Sequence, residues 1–72
     1  MRAIGQSLLD PLSDRELEVL QLIASGLSND EIAERLIVGM STVKTHINHL
    51  FSKLNVKNRT QAVARAQTLN LL

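Results

Sequence analysis

The stretch Ser41-Thr-Val-Lys-Thr-His-Ile-Asn-His-Leu-Phe-Ser-Lys-Leu54 decides how this chain is read. Its apolar residues Val43, Ile47, Leu50, Phe51 and Leu54 recur at intervals of 4, 3, 1 and 3. At about 100° per residue they fall on one stripe of an α-helix. Directly opposite the stripe come Ser41, Thr45, Asn48 and Ser52, with Lys44 and His49 beside them. His46 and Lys53 lie on the flank away from Lys44. A rod with one apolar face, and hydrogen-bonding groups and cations on the other, is suited to a polar, anionic partner.

Charge position sharpens that. From Ile37 to Leu72 there is no carboxylate, while Lys44, Lys53, Lys57, Arg59 and Arg65 give this half +5; all seven acids lie in residues 1 to 36. The net charge of +1 hides this segregation. A cationic helix with one buried face points to duplex DNA. Phe51 is the single aromatic residue, so the stacking platforms used by single-strand and many RNA binders are absent.

Length and composition set the bounds. Seventy-two residues make one domain, and a chain this short buries only about 60% of its unfolded surface. Without cysteine it has no disulfide and no thiolate metal site. No apolar run approaches the roughly 20 residues of a membrane span, and Met1 to Gln6 lacks a signal-peptide core. The expectation is a soluble, cytoplasmic protein with no membrane partner.

Residues 1 to 12 show no sustained period, and Asp10-Pro11 discourages helix, so they read as a linker or flexible arm before a domain over 13 to 72. Ser13 and Glu16 have capping-box spacing, followed by Leu17, Leu20, Ile23 and Ala24 and a stop at Gly26. Ser28 and Glu31 repeat the box before Ile32, Ala33 and Leu36, and the short helix ends in Ile37-Val38-Gly39. Asn55 is the expected cap of the third helix. A fourth begins near Asn58 or Thr60 and carries Ala62, Val63, Ala66 and Leu69. With no alternating strand pattern, the fold class is all-α with four helices.

A short helix, a turn of about four residues holding a glycine, and a longer helix with a polar outer face is the plan of a helix-turn-helix. On the outer face, Thr45 can offer a methyl to thymine, Asn48 can pair with adenine N6 and N7, and Lys44 can donate to guanine O6 and N7. His49 stands beside them as a further base contact. Lys53, Lys57 and Arg59 sit where cations meet a phosphate strand. Ser28 and Asn29 can add a phosphate contact at the N-terminus of the second helix. Ser41, Thr42, His46 and Asn58 complete the candidate phosphate set.

Other chemistries fit poorly. His46 and His49 invite a metal, but no Cys, Asp or Glu nearby supplies a third ligand. Ser41 with His46 lacks an acid beyond Glu34 and a glycine-rich elbow, so neither catalysis nor a cofactor is expected. The Ala62, Val63, Ala66 and Leu69 face closes the core or contributes to a dimer seam.

Four segments, Leu12-Ser-Asp-Arg-Glu-Leu-Glu-Val-Leu20, Gly26-Leu-Ser-Asn-Asp-Glu-Ile-Ala-Glu-Arg-Leu36, Thr42-Val-Lys-Thr-His-Ile47 and Lys53-Leu-Asn-Val-Lys-Asn-Arg-Thr-Gln-Ala-Val63, together resemble the LuxR-type (GerE-like) helix-turn-helix family. The resemblance covers residues 12 to 72. The Asp10-Pro11-Leu12 opening and Leu69-Asn-Leu-Leu ending look most like the C-terminal domain of MalT-like regulators. It implies a four-helix domain of a transcription regulator that reads a major groove with its third helix. Base contacts carry over to Lys44, Thr45 and Asn48, and phosphate contacts to Lys53, Asn58 and Arg59. Dimerisation through the last helix places Val63, Ala66 and Gln67 at the interface. RNA polymerase is a further candidate partner. Gly39-Met40 departs from the family's usual hydroxyl cap and polar residue at the start of the third helix. The alternatives are a sigma-factor-like promoter-recognition module and a basic helical module that docks an acidic protein.

Overall fold

The computed structural model describes residues 10–72, and among them it forms four helices and no strand. These are α1 (Asp14–Ala24), α2 (Asn29–Leu36), α3 (Met40–Leu54) and α4 (Arg59–Thr68). The all-α expectation holds.

Both capping boxes form as their spacing predicts. The Ser13 hydroxyl accepts from the Glu16 N–H at 3.1 Å while the Ser13 N–H donates to the Glu16 carboxylate at 2.9 Å. Ser28 and Glu31 repeat this at 3.2 and 2.8 Å. Each exchange satisfies two backbone donors that a helix start leaves open. Asn58 caps α4 by accepting from the Gln61 N–H at 2.9 Å. Gly39 caps α3 with no side-chain hydrogen bond, so the longest helix has the weakest start.

Every helix then stops on a residue of positive φ: Gly26 (92°), Ile37 (57°), Asn55 (58°) and Asn70 (60°). In each case the next N–H folds back to a carbonyl five residues earlier, Leu27 to Leu22, Val38 to Ala33, Val56 to Phe51 and Leu71 to Ala66, at 2.8 to 3.1 Å. This geometry satisfies carbonyls at the helix end. Gly26 and Asn55 suit it. Ile37 does not, because a β-branched side chain crowds the backbone in the left-handed region.

The expected arm over residues 1 to 12 lies outside the described residues except for its last three. Leu12 is 6% exposed and belongs to the core. It precedes the cap Ser13 and stands five residues before Leu17, which packs against the same core. That is the spacing of a hydrophobic staple. Leu27 with Ile32 and Val38 with Val43 repeat the spacing at α2 and α3, and all four join the core cluster.

α3 packs against all three other helices, as does α1, whereas α2 and α4 do not touch. The core holds Val19, Leu20, Ile23, Ile32, Val43, Leu50, Leu54, Ala62, Ala66 and Leu71 with Leu12. On α3 the expected stripe is present, with Ile47 and Phe51 half-buried at its edges. On α1 the buried face is Glu16, Val19, Leu20 and Ile23, whereas Leu17 is half-buried and Ala24 exposed. The face is turned because a carboxylate, not an aliphatic residue, occupies its first position. On α4 the face is narrower than expected: Ala62 and Ala66 are fully buried, and Val63 and Leu69 lie at the margin.

Candidate nucleic-acid interface

Helix α3 turns its apolar stripe inward, and this orients everything on its other side. Ser41, Thr42, Lys44, Thr45, Asn48, His49 and Ser52 are exposed, while His46 is half-buried against the flank. Thr45 and Asn48, the two residues whose orientation matters most, face solvent. The Thr45 hydroxyl donates to the Ser41 carbonyl at 3.0 Å. With its hydrogen committed to its own helix, Thr45 presents its methyl and the acceptor side of its hydroxyl. Asn48 keeps an amide able to donate and accept at once. At about 1.5 Å per residue, fifteen residues make a rod of about 22 Å, and a rod of helical diameter fits a B-DNA major groove about 12 Å wide. Met40, at its first turn, is half-buried.

The second helix meets the same side with a mixed electrostatic character. Ser28 is exposed and Asn29 half-buried at its N-terminus, where unpaired N–H groups favour an anion. Asp30 and Glu31 already occupy the first turn. The Ser28 N–H holds the Glu31 carboxyl below the usual carboxylate range. A phosphate here is left to the Ser28 hydroxyl and the Asn29 amide rather than to the helix end as a whole.

Past α3, the expected phosphate set divides. Lys57 and Asn58 are exposed. The Lys57 N–H donates to the Gln61 side chain at 2.9 Å, which leaves its ammonium outside, and Asn58 uses only its carbonyl oxygen as the α4 cap. Arg59 and Lys53, also expected on phosphate, are half-buried and hydrogen-bonded within the protein. The Arg59 guanidinium donates to the Leu27 carbonyl at 2.7 Å, tying the start of α4 to the turn before α2. The Lys53 ammonium donates to Glu16 Oε1 at 2.7 Å and to the Pro11 carbonyl at 3.2 Å, with Asp10 at 3.9 Å. Glu16 is 5% exposed. Burial pushes its carboxyl up, but hydrogen bonds from Lys53 and the Ser13 N–H outweigh this, and the net effect holds it below the ordinary range. Lys53 is correspondingly raised, chiefly by its hydrogen bond to Glu16.

Sequence reasoning missed Glu16 as the inward partner of Lys53. A signal existed: Glu16, Val19, Leu20 and Ile23 repeat the intervals 3, 1 and 3 of Ile47, Leu50, Phe51 and Leu54, which puts the acid on a core stripe. On α4, Ala66 is fully buried. It cannot line a seam as expected, because its methyl is already enclosed by the core. Val63, half-buried, and Gln67, exposed, do reach the surface there. They join Ile23, Arg59, Thr60 and Ala64 around a shallow, mainly apolar groove of about 420 Å³. Among the described residues no group of three or more His, Cys, Asp or Glu stands close enough to hold a metal, and no helix is long and apolar enough to cross a membrane.

Comparison with known proteins agrees with this geometry. The family model for bacterial regulatory proteins of the luxR family (GerE) matches residues 10–66. The chain is 52% identical over 62 residues to the uncharacterized transcriptional regulatory protein YxjL of Bacillus subtilis (strain 168), covering 86% of this chain and 28% of that protein. It is 54% identical over 59 residues to the HTH-type transcriptional regulator MalT of Yersinia pestis (strain Pestoides F), covering 82% of this chain and 6% of that protein. The crystal structure of response regulator ChrA, from a heme-sensing two-component system, superposes with a TM-score of 0.84 at 46% identity, over 88% of this chain and 31% of that one. The chain thus spans less than a third of each of these relatives. With four helices in the expected order, an outward polar face on the third and matches of this extent, the chain belongs to the luxR family of bacterial regulatory proteins, as its helix-turn-helix DNA-binding domain.

Proposed function

We propose that α3 enters the major groove of a specific duplex site and that Lys44, Thr45, Asn48 and His49 meet the base edges. The observation that carries this is the face of α3: uncharged hydrogen-bonding groups and an ammonium, all exposed, on a helix with no acid along its length. Lys44 suits guanine, Asn48 adenine and the Thr45 methyl thymine. Ser28, Asn29, Ser41, Thr42, His46, Lys57 and Asn58 surround that face and supply phosphate contacts that fix register. Two copies pair through the groove beside α4, using Val63 and Gln67, and read half-sites about 34 Å apart. In a longer regulator this domain serves transcription control in the cytoplasm, with RNA polymerase as a further partner.

Selection of duplexes from a random pool by the 72-residue chain, followed by a salt titration on the selected sequence, tests the reading. Two exposed cations a protomer near this surface, Lys44 and Lys57, give a slope of log affinity against log salt near −2 for one copy and about −4 for a pair. A shared half-site must emerge. Flat salt dependence, or equal affinity for unrelated acidic polymers, would instead mark a module that docks acidic proteins.

A further inference from the structure

Lys53 sits in the last turn of the helix that faces DNA, and an exposed ammonium there would meet a phosphate. Its surroundings give it other work. Its side chain is 20% exposed, and the carboxylate it meets at 2.7 Å belongs to a side chain 7% exposed. Glu16 Oε1 accepts at the same time from the Ser13 N–H at 2.9 Å. One oxygen thus joins the start of α1 to the end of α3. The Pro11 carbonyl takes a second N–H of the same ammonium at 3.2 Å, and Asp10 stands 3.9 Å away.

Reaching a phosphate would require Lys53 to leave Glu16 behind. A carboxylate stranded inside the protein without its counterion is strongly unfavourable, far more so than an exposed lysine left in water. Lys44 and Lys57 carry no such obligation, since both are exposed and neither forms an ion pair among the described residues. The opposite end of α3 also matters. Gly39 gives it no side-chain cap, so at the N-terminal turn only the packing of Val38 and Val43 holds α3, whereas the C-terminal turn carries a polar anchor.

We propose that Lys53 is a positioning residue: through Glu16 and the Pro11 carbonyl it locks the C-terminal turn of α3 against α1 and the Asp10–Leu12 segment, and so sets the pose in which Lys44, Thr45 and Asn48 reach the bases. The proposal rests on the reading of α3 as the DNA-facing helix. Its consequence is that the segment leading into the domain and the recognition helix share one electrostatic latch. A displacement of residues 10 to 12 is therefore felt at the end of α3.

The test compares Lys53→Met, Glu16→Gln and the double variant of the 72-residue chain. Affinity is measured for the duplex selected by the unmodified chain and for a scrambled duplex, at a temperature where melting curves show each variant folded. Either single change is expected to weaken the selected duplex about two- to thirtyfold. The scrambled duplex and the salt slope should hardly move, and the double variant should be no worse than either single one. A phosphate ligand behaves differently: Lys53→Met would weaken both duplexes alike and reduce the slope by about 0.9 per protomer, and Glu16→Gln would tighten both by freeing the ammonium. That pattern overturns the proposal, as does unchanged discrimination in all three variants.

Amide hydrogen exchange supplies a DNA-free arm. Lys53→Met should lower protection together at residues 16 and 17 and at 50 to 54, and unchanged protection at either segment refutes the latch. If the unmodified chain selects no duplex, the DNA reading fails while this arm still judges the latch.

Discussion

Replacing Ile37 by glycine should stabilise this domain, although it deletes a large apolar side chain. Ile37 ends α2 at φ 57° and ψ 52° and is 90% exposed. The left-handed conformation costs an L-residue about 1 to 2 kcal/mol, and β-branching puts Ile37 at the upper end. Glycine removes that cost. Because nine-tenths of the side chain is in water, the apolar burial lost amounts to about 0.3 kcal/mol at most. Against the gain stands the greater freedom of glycine in the unfolded chain, about 0.4 to 1 kcal/mol. The balance is a gain of about 1 kcal/mol, or a melting temperature higher by about 4 to 8 °C for a domain this size.

Two companions separate strain from entropy. Ile37→Asn keeps a side chain that tolerates the left-handed region and adds little chain freedom, so it should equal or exceed glycine. Ile37→Val keeps the β-branch and should change nothing beyond a few tenths of a kcal/mol. Urea denaturation of the three variants, read by far-ultraviolet circular dichroism, gives the comparison. If Ile37→Gly lowers stability by 1 kcal/mol or more, then the side chain is held by something other than solvent and the strain argument fails.

Further outcomes follow from other parts of the fold. Gly39→Ser should raise stability by a few tenths of a kcal/mol, since a hydroxyl can cap α3 and a Cβ there meets nothing within 4 Å, whereas Ser28→Ala should cost about 1 kcal/mol by opening the α2 box; thermal melts compare them. The Glu16 carboxyl is held below its ordinary value despite its burial, so its stabilisation is present above the unfolded-state pKa and lost as pH falls through the folded one. Lys53 is raised, so its share is full at neutral pH and lost as pH rises through its folded value. Melting temperature against pH should therefore be level near neutrality and fall below about pH 4 and again above about pH 10. Glu16→Gln should shrink the acid-side fall without abolishing it, because Glu31 is also lowered, first by its bond from the Ser28 N–H. Lys44→Ala should relax base preference at one position of the selected site at a cost of about 1 to 3 kcal/mol; an equal loss on every sequence would show that Lys44 touches only phosphate.

Much of this protein is legible in the order of its residues. Helix positions follow from apolar intervals and from the Ser13–Glu16 and Ser28–Glu31 boxes, because capping and periodicity act within a few residues along the chain. The outward face of α3 follows from the same intervals: once Val43, Leu50 and Leu54 are inside, Thr45 and Asn48 must be outside. The charge segregation that suggests a nucleic-acid partner is likewise a property of the order of residues alone.

What the chain order could not show is which groups meet across it. Lys53 reaches Glu16 over 37 positions, Arg59 reaches Leu27 over 32, and Leu12 fills the core from outside any helix. A lysine in a basic half and an arginine after a cap look like phosphate ligands when read singly, since sequence gives charge but not the partner that neutralises it. The same holds for Ala66, whose size suits a seam or a core equally until α1 and α3 close over it. Local hydrogen bonding and periodicity made the helices and aimed α3; only the packing of α1 on α3 and α4 decided which cations remain outside, because a buried carboxylate demands its counterion wherever the fold brings one within reach.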